Sequence, residues 1–329
     1  MRIRLFGADE IRRSLSMAEA IEVVKEAFVQ LSLGKAQSPV RTSLDLRERG
    51  EVALIMPSYL ERTRALGAKV VTVFPKNPEG GRPAVQALVV LFDAQTGAPA
   101  ALLEGTELTR LRTGAAAGAA TQVLSRPDCR TLALFGAGGQ AFYQVQGVLS
   151  ARKLERISIF DPLPERVEEL IRTLRKSPAR RLTISAAASP REALRGADIV
   201  VTVTTSSRPV FSGQDLPEGA HINAMGSFQP TMQEVDEETI LRSRLFVDCR
   251  SACLEEAGDL LIPLREGRIF PSAIVGELGE VIVGLKPGRQ GEREITYFKS
   301  VGNAVQDMAV AREILNRAEA NSLGREVEL

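Results

Sequence analysis

The fold of this chain is decided by the segment Thr131-Leu-Ala-Leu-Phe-Gly-Ala-Gly-Gly-Gln-Ala141. An apolar run of strand-forming residues ends at Gly136, and a helix-compatible segment follows Gly139. Small residues at 136, 138 and 141 permit a sharp turn, a close approach of the backbone to a pyrophosphate, and tight packing of the helix on the strand. The segment therefore predicts a strand, a turn and a helix whose first N–H groups bind phosphate oxygens.

A carboxylate follows at the distance that a dinucleotide site requires. Asp161 ends the next apolar run, Arg156-Ile-Ser-Ile-Phe-Asp161, and lies 25 residues after Gly136. A carboxylate there accepts hydrogen bonds from an adenosine ribose and repels a 2′-phosphate. A glycine-rich turn without a ligand is the alternative, but the two signals together favour a bound NAD(H) over NADP(H). The residues predicted to hold it are Gly136, Ala137, Gly138, Gly139, Gln140, Ala141 and Asp161.

The composition is that of an ordinary protein of about two domains. The chain has 329 residues, of which 44% are apolar and 25% are charged. Its 42 basic and 41 acidic residues give a net charge of +1, which predicts neither a nucleic acid nor a membrane surface as partner. No apolar run is long enough to span a bilayer, and the N-terminus lacks the apolar core of a signal peptide, so we expect a cytoplasmic protein.

The three cysteines do not predict a metal site. Cys249 and Cys253 are four residues apart, a spacing open to a metal or redox pair, but no histidine pair or further cysteine cluster accompanies them. We therefore interpret Cys129, Cys249 and Cys253 as buried structural thiols.

Between residues 131 and 250, short apolar runs alternate with amphipathic segments. This alternation predicts an α/β fold with a doubly wound, Rossmann-type parallel sheet that has helices on both faces. The predicted strands are 131–135, 156–160, 182–186, 198–204, 221–225 and 244–248, and the predicted helices are 139–151, 164–176, 190–195 and 236–242.

The first 125 residues have a different pattern, in which neighbouring strands are separated by short turns. Such turns favour an antiparallel sheet, so this part is predicted to be α+β. We expect a C-terminal helix to return to it, which places the domains at 1–118 with 305–329, and at 119–304. The predicted elements of the first part are a helix at 17–34 and strands at 40–46, 51–56, 67–74 and 84–92.

Three basic residues of the first domain are candidates for catalysis on a carboxylate-bearing substrate. Arg41, Lys69 and Arg112 occupy strand or helix-start positions, where a lone basic residue more often belongs to a solvated face. Lys69 lies in the apolar run 67–73, and a buried ammonium requires a partner or a chemical role. Several cations at a cleft beside the dinucleotide domain would hold a carboxylate through charge-assisted hydrogen bonds.

His221 and Asp307 are weaker candidates. His221 is the only histidine and precedes an apolar strand, so we favour a structural role over acid–base catalysis. Asp307 could be an acid near the nicotinamide, but we favour a polar residue early in the last helix.

Several motifs, in this order, resemble those of the ornithine cyclodeaminase/mu-crystallin family over nearly the whole chain. They are Gly67-Ala-Lys-Val-Val71, Arg110-Leu-Arg-Thr-Gly-Ala-Ala116, Leu134-Phe-Gly-Ala-Gly-Gly-Gln-Ala141, Gly219-Ala-His-Ile-Asn-Ala-Met-Gly226, Pro230 with Glu234, and Phe298-Lys-Ser-Val-Gly302. The resemblance implies a homodimer whose first domain binds substrate and dimerises. It also implies that Arg41, Lys69 and Arg112 hold the substrate carboxylate, and that Lys69 handles the proton. Further cofactor contacts are implied for Thr113, Thr204, Ala224, Met225, Gly226, Val301 and Gly302.

Two departures from the family pattern change the expected chemistry. In the pattern of the ornithine cyclodeaminases, an acid that handles the amino group of the substrate stands at the position of Phe228. A second acid of the pattern, just before Met56-Pro57, is replaced by Ile55. Ketimine reductases of the mu-crystallin type also lack the first acid. A cyclic imine has no free ammonium to bind and requires only a hydride, a proton and a carboxylate clamp.

The resemblance therefore implies an enzyme, an NAD(P)H-dependent oxidoreductase that reduces a cyclic ketimino acid of the 1-pyrroline-2-carboxylate or 1-piperideine-2-carboxylate type. One alternative is an amino-acid dehydrogenase similar to alanine dehydrogenase. Another is an ornithine cyclodeaminase, which forms proline and ammonia. An alternative of a different class is a non-catalytic NAD(P)H-dependent ligand-binding protein of the mu-crystallin type. The expected partner is a small imino or amino acid.

Overall fold

The computed structural model describes residues 2–46, 51–318, 320 and 322–328. The chain divides into two compact units, Met1–Arg112 with Asn303–Leu329, and Thr113–Gly302. No helix in these described ranges combines the length and the apolarity that crossing a membrane requires. The helices are α1 (Ala8–Ser14), α2 (Met17–Ser32), α3 (Gly105–Leu124), α4 (Ala141–Ala151), α5 (Pro164–Leu174), α6 (Pro190–Leu194), α7 (Glu237–Leu241), α8 (Arg250–Glu256), α9 (Gly258–Arg265), α10 (Leu278–Ile282) and α11 (Ala304–Ala318).

A mixed sheet of eight strands forms the first unit. The strands are β1 (Arg2–Phe6), β2 (Ala36–Gln37), β3 (Thr42–Asp45), β4 (Val52–Leu60), β5 (Ala65–Val73), β6 (Val85–Phe92), β7 (Pro99–Glu104) and β16 (Arg325–Glu328). Their order is β16-β1-β7-β6-β5-β4-β2, and β3 also pairs with β4. All these pairs are antiparallel except β1 with β7. The strands that the sequence predicts at 40–46, 67–74 and 84–92 correspond to β3, β5 and β6.

The predicted strand at 51–56 is too short, because β4 continues through Pro57 to Leu60. On one side β4 pairs with β5 along its whole length. On the other side β3 pairs with 52–55 and β2 pairs with 59–60, so Pro57 faces the interval between these two partners. A proline has no N–H to donate, and a gap between two partner strands is a position where a strand tolerates it.

Helices α2 and α11 cover the buried face of this sheet, where α11 packs on β4, β5 and β6. A capping box starts α2, because the Ser16 hydroxyl accepts the Glu19 N–H while the Glu19 carboxylate accepts the Ser16 N–H. Burial alternates along β5, and Lys69 lies on its buried side together with Val71. The apolar run around Lys69 is therefore one strand whose alternate residues face the helical layer.

The second unit is a parallel sheet of eight strands. They are β8 (Thr131–Phe135), β9 (Arg156–Phe160), β10 (Thr183–Ala186), β11 (Ile199–Thr202), β12 (His221–Ala224), β13 (Ser243–Val247), β14 (Ile274–Glu277) and β15 (Ile295–Lys299). Their order is β10-β9-β8-β11-β12-β15-β13-β14, and every pair is parallel. Counted from the β10 edge, the first five strands, β10-β9-β8-β11-β12, follow the 3-2-1-4-5 order of a Rossmann-type sheet. The predicted fold class is confirmed.

The register of this sheet brings four loops to one edge. Phe135 pairs with Thr202, Thr202 with Ala224, and Ala224 with Lys299. Because the strands are parallel, the residues that follow them meet at the carboxyl edge, which is where open α/β sheets bind ligands. The glycine turn after β8 is one of these four loops.

Candidate active site

The glycine turn between β8 and α4 has the geometry that the motif predicts. Gly136 has φ +98°, and a Cβ on it would lie 2.7 Å from the carbonyl oxygen of Val203. A side chain is excluded there by both the backbone conformation and the neighbouring loop. A Cβ on Gly138, in contrast, would meet no described atom of the protein within 4 Å. Gly136 is therefore required for the turn itself, and Gly138 leaves open space beside the backbone.

Asp161 lies directly against this turn. Its Oδ2 accepts the Ala137 N–H at 2.8 Å, and its Oδ1 accepts the Leu163 N–H at 2.9 Å. Each oxygen retains a lone pair, because a carboxylate offers about four acceptor positions. The sequence predicts that Asp161 and the glycine turn belong to one site, and in the structure they are in direct contact within the second unit.

The first turn of α4 carries buried polar groups with no partner among the described residues. Gln140 precedes the helix, its Oε1 is buried, and neither amide atom of the buried Gln144 has a partner. Ala141, the first helical residue, is fully buried. Unpaired buried amides cost free energy, so a ligand or ordered water is expected beside this helix start. Gly139 completes the loop into α4.

Glu234 ties together two of the loops at the carboxyl edge. Its Oε1 accepts the Thr204 N–H at 2.6 Å, and its Oε2 accepts the N–H groups of Gly226 and Ser227 at 2.8 and 3.1 Å. The Thr202 hydroxyl also donates to Oε2. A Cβ on Gly226 would lie 2.2 Å from the Thr204 carbonyl oxygen, so the two loops approach too closely for any side chain.

A second buried carboxylate supports Glu234. Asp259 accepts the Glu234 N–H at 2.6 Å through Oδ1, and its Oδ2 lies 2.9 Å from the Lys299 ammonium. Both members of this ion pair are fully buried, and the Tyr297 hydroxyl also donates to Asp259. Burial raises the pKa of Glu234, and the ammonium of Lys299 opposes that rise.

The remaining predicted residues of the second unit lie on the same strands and loops, except Thr113, which lies on α3. Asp248 Oδ2 accepts the Ser300 hydroxyl and the Gly302 N–H, which holds the loop after β15. Gly302 has φ +81°. Ala224 ends β12, Met225 follows it, Val301 belongs to the held loop, and Thr113 lies on α3; all four are buried.

In the first unit, one carboxylate joins two of the three predicted cations. Asp307 Oδ2 lies 2.7 Å from Lys69 Nζ, and its Oδ1 accepts the Arg112 Nε–H at 3.1 Å. Asp307 is fully buried, and Lys69 and Arg112 are 2% and 6% exposed. Arg112 Nη1 donates to Gln306 Oε1 at 2.9 Å. Asp307 is a polar residue in the first turn of the last helix, as favoured, but it also bridges two buried cations, which was not predicted.

Arg41 acts on the same group of charges. It precedes β3 and is half-buried, and its positive charge contributes to the lowered pKa of Lys69. Burial is the largest cause of that shift, Asp307 opposes it, and Arg112 and Arg41 add to it, so the pKa of Lys69 is lowered to about 8. Lys69 therefore titrates near neutral pH, where an acid–base group is most effective.

His221 and the three cysteines are buried side chains with structural roles. His221 is fully buried, with Nδ1 3.0 Å from Thr296 Oγ1 and Nε2 3.2 Å from Asn223 Oδ1. Burial lowers the pKa of His221 to about 3, so the ring is neutral. Cys129, Cys249 and Cys253 are buried and unpaired, and burial raises the pKa of each thiol.

The two positions that depart from the family pattern carry no acid in the structure. Phe228 is half-buried in the loop that follows β12, and Ile55 lies on β4 with 39% of its surface exposed. Sequence reasoning missed the roles of Asp307, Gln306 and Asp259. The signal for Asp307 was the lysine in an apolar run, which demands a counter-charge but does not identify it.

A Rossmann-type sheet whose glycine turn is held by an acid defines a dinucleotide-binding protein. The same chain buries a lysine and an arginine on one carboxylate. The sequence pattern of the ornithine cyclodeaminase/mu-crystallin family matches residues 4–322. The chain belongs to this family, as the resemblance implied.

Similarity to individual family members extends over nearly the whole chain. A Δ1-pyrroline-2-carboxylate reductase of Bacillus cereus is 40% identical over 325 residues, which are 98% of this chain and 99% of the relative. The structure of Thermococcus litoralis Δ1-pyrroline-2-carboxylate reductase in complex with NADH and L-proline superposes with a TM-score of 0.95 at 39% identity, covering 99% of this chain and 100% of the other. An archaeal alanine dehydrogenase dimer with bound NAD superposes with a TM-score of 0.93 at 32% identity, and both chains are fully covered.

Proposed function

We propose that this protein is an NADH-dependent reductase of a cyclic ketimino acid, of the 1-pyrroline-2-carboxylate or 1-piperideine-2-carboxylate type. The observation that carries the proposal is the similarity, over 99% of the chain, to a reductase in complex with NADH and L-proline. L-Proline is the product expected when a hydride is added to C2 of 1-pyrroline-2-carboxylate. The buried cation cluster of the first unit supplies the charges that such a carboxylate requires.

The second unit has the groups to hold NADH. The turn from Gly136 to Ala141 and the start of α4 would receive the pyrophosphate, and Asp161 would accept hydrogen bonds from the adenosine ribose. The buried, unpaired Oε1 of Gln140 supports a ligand at this turn. NADH supplies a hydride when it is bound. The loops that Glu234 and Asp248 hold, with Thr204, Gly226 and Gly302, would contact its nicotinamide half.

The first unit would bind and protonate the imino acid. Arg41, Lys69 and Arg112 would hold the carboxylate, since a guanidinium binds it in two places and an ammonium adds a point charge. Lys69 Nζ would donate the proton that the imine nitrogen receives, directly or through water. With a pKa of about 8, Lys69 is charged at neutral pH and can release this proton without a large free-energy cost.

The residues disfavour cyclodeamination of ornithine. That reaction requires an acid for the amino group of the substrate, and Phe228 stands at the position where the family pattern has it. Ile55, at the second such position, lies on the exposed face of β4 and not on the face that carries Lys69. Neither side chain carries an acid that could accept a proton or form an ion pair with an ammonium. Similarity to an alanine dehydrogenase keeps an amino-acid dehydrogenase as the second candidate, because the same clamp can hold an open-chain imine.

We further propose a homodimer formed through the exposed face of the sheet in the first unit. Ile55 pairs with Val70 across β4 and β5, and Val70 pairs with Leu88 across β5 and β6. These side chains are 39%, 44% and 53% exposed and form one apolar row, and the exposed Leu44 of β3, opposite Ala53, lies on the same face. A contiguous apolar sheet face of this kind is typical of a protein interface. A second copy is the expected occupant, because a similar alanine dehydrogenase is a dimer.

We propose a cytoplasmic location, because three buried thiols that form no disulfide are typical of a reducing compartment.

Oxidation of NADH by the purified protein tests the proposal. NADH should be consumed with 1-pyrroline-2-carboxylate or 1-piperideine-2-carboxylate, and L-proline or its six-membered homologue should accumulate in equal amount. NAD+ reduction by L-alanine without activity on either imine would identify the amino-acid dehydrogenase. Ammonia release from ornithine without net NADH change would identify a cyclodeaminase. NADH binding without turnover of any of these compounds would identify a ligand-binding protein.

A further inference from the structure

Asp307 is the meeting point of charged groups from three parts of the first unit. It is the fourth residue of α11, Lys69 comes from β5, and Arg112 comes from α3. The two carboxylate oxygens have different partners, since Oδ2 binds the ammonium of Lys69 and Oδ1 binds Nε of Arg112. All three side chains are almost completely buried, so solvent screens these contacts little.

The contacts use only some of the donors that the two cations possess. An ammonium has three N–H groups, and Lys69 directs one of them to Asp307. A guanidinium has five, and Arg112 directs Nε to Asp307 and one Nη1 donor to Gln306. Among the described residues the remaining donors of both cations have no partner, so they remain for a ligand. Two fixed points on Arg112 also determine the orientation of its guanidinium plane.

We propose that Asp307 is a positioning residue of the site, which orients the free donors of Lys69 and Arg112 and holds Lys69 in its charged form. This inference rests on the proposed reductase function, in which these two side chains bind the carboxylate and supply the proton. Asp307 does not touch the substrate. Its effect is transmitted through Lys69 and Arg112.

The charges around Lys69 determine whether Asp307 favours the charged or the neutral form of that lysine. The charged groups that act on it are Asp307 on α11, Arg112 on α3 and Arg41 before β3, and its strand neighbours Met56 and Val89 carry no charge. Asp307 is the only negative charge among them. Removing it leaves a buried ammonium facing two guanidinium groups, and both burial and repulsion then favour the neutral amine.

Replacement of Asp307 with asparagine tests the inference, because Asp307→Asn keeps the size and removes the charge. The chain has eight lysines, so selective 13Cε labelling gives few signals, and Lys69→Arg identifies the Lys69 signal by its loss. In the unaltered protein the Lys69 signal should titrate near pH 8, and in Asp307→Asn its midpoint should fall by at least one pH unit. Asp307→Glu should restore most of the shift. Asp9→Asn, an exposed change on α1, should have no effect.

Kinetics supply the second measurement. The alkaline limb of kcat/KM for imine reduction should move to lower pH in Asp307→Asn by the same amount as the Lys69 midpoint. KM for the imine should also rise at least tenfold, because Arg112 loses one of its two fixed points. Asp307→Asn could instead change thermal stability alone and leave both the alkaline limb of kcat/KM and the Lys69 midpoint where they are. That result would show a merely structural role and overturn the inference.

The outcomes separate this inference from the proposed function. A Lys69 midpoint that moves in Asp307→Asn, in a protein that turns over no imine, would reject the reductase and retain the coupling of the two residues. Turnover of an imine with an unmoved midpoint would reject the coupling and retain the reductase. If Asp307→Asn does not fold, the unaltered protein still decides, because a Lys69 amine that is neutral at pH 7 would overturn the inference.

Discussion

The Oδ2 atom of Asp161 accepts a hydrogen bond of 2.8 Å from the backbone N–H of Ala137, so the acid that follows β9 is fixed to the glycine turn that follows β8. The carboxylate is thereby fixed in position before any ligand arrives. Preorganised groups lose less freedom on binding, and their effect on cofactor choice is correspondingly large. A negative charge held at this turn favours a free ribose hydroxyl and repels a 2′-phosphate.

Asp161→Ser combined with Pro162→Arg should shift the cofactor preference toward NADPH. The serine hydroxyl can still accept the Leu163 N–H, and the added arginine supplies a partner for the 2′-phosphate. We expect the ratio of kcat/KM for NADH to that for NADPH to fall at least tenfold, which corresponds to about 1.4 kcal/mol. Asp161→Asn, which keeps an acceptor but removes the charge, should show an intermediate ratio. An unchanged ratio in both variants would contradict the placement of Asp161 at the ribose.

The pH dependence of turnover should have opposite signs in the two directions. Reduction of the imine requires protonated Lys69, so kcat/KM should fall as pH rises through about 8. Oxidation of L-proline requires the neutral amine, so its kcat/KM should rise through the same pH. Lys69→Arg should abolish this titration, because a guanidinium stays charged throughout.

Lys69→Ala should lower kcat more than tenfold, because the variant has no group at this position to donate the proton. Parallel pH profiles for the variant and the unaltered protein would remove Lys69 from proton transfer.

Local sequence pattern predicts the second unit well, and the reason is physical. β8 and β9 agree with their predicted bounds, 131–135 and 156–160, because each is a short apolar run that stops at a glycine or an aspartate. The glycine turn and Asp161 belong to neighbouring strands of one βαβ unit, so their contact follows from local order. The sequence also contains enough of the family pattern to place Lys69 and Arg112 together.

Contacts between distant parts of the chain could not be predicted in this way. Asp307 and Lys69 are 238 residues apart, and nothing in the local pattern of α11 distinguishes Asp307 from an ordinary helix-start acid. β1 and β16 pair the two ends of the chain, and neither was predicted. Hydrophobic periodicity describes which face of an element is buried, but it does not state which element covers that face.

Glu234→Gln should lower both the free energy of unfolding and the affinity for NADH. Four donors converge on the Glu234 carboxylate, and a glutamine would direct its own NH2 group at some of them. We expect a loss of about 2–3 kcal/mol in the free energy of unfolding, measured with urea, because buried donors lose their acceptor. The Kd for NADH should rise, since Thr204 and Gly226 would no longer be held together. Glu218→Gln, which alters an exposed pair with Arg293, should change neither quantity.

A charge on the apolar row of the first unit should dissociate the proposed dimer. Val70→Glu places a carboxylate between Ile55 and Leu88, where an interface between two copies would bury it without a partner. Sedimentation velocity should show a dimer for the unaltered protein and a monomer for Val70→Glu. Leu285→Glu changes a residue of the second unit that is 61% exposed, and it should leave the dimer intact. A monomer in the unaltered protein would reject the homodimer.

Acid should destabilise the second unit through its single histidine. Burial lowers the pKa of His221 to about 3 in the folded chain, whereas an exposed histidine titrates near 6.5. Between these values the unfolded chain binds the extra proton, so His221 makes the folded state less stable as pH falls from 6.5 toward 3. His221→Gln removes the titration and keeps polar atoms near Thr296 and Asn223. Urea unfolding between pH 7 and pH 4 should therefore show a smaller loss of stability in the variant, by a few kcal/mol. Equal losses in the two proteins would mean that His221 is hydrated or already charged in the folded state.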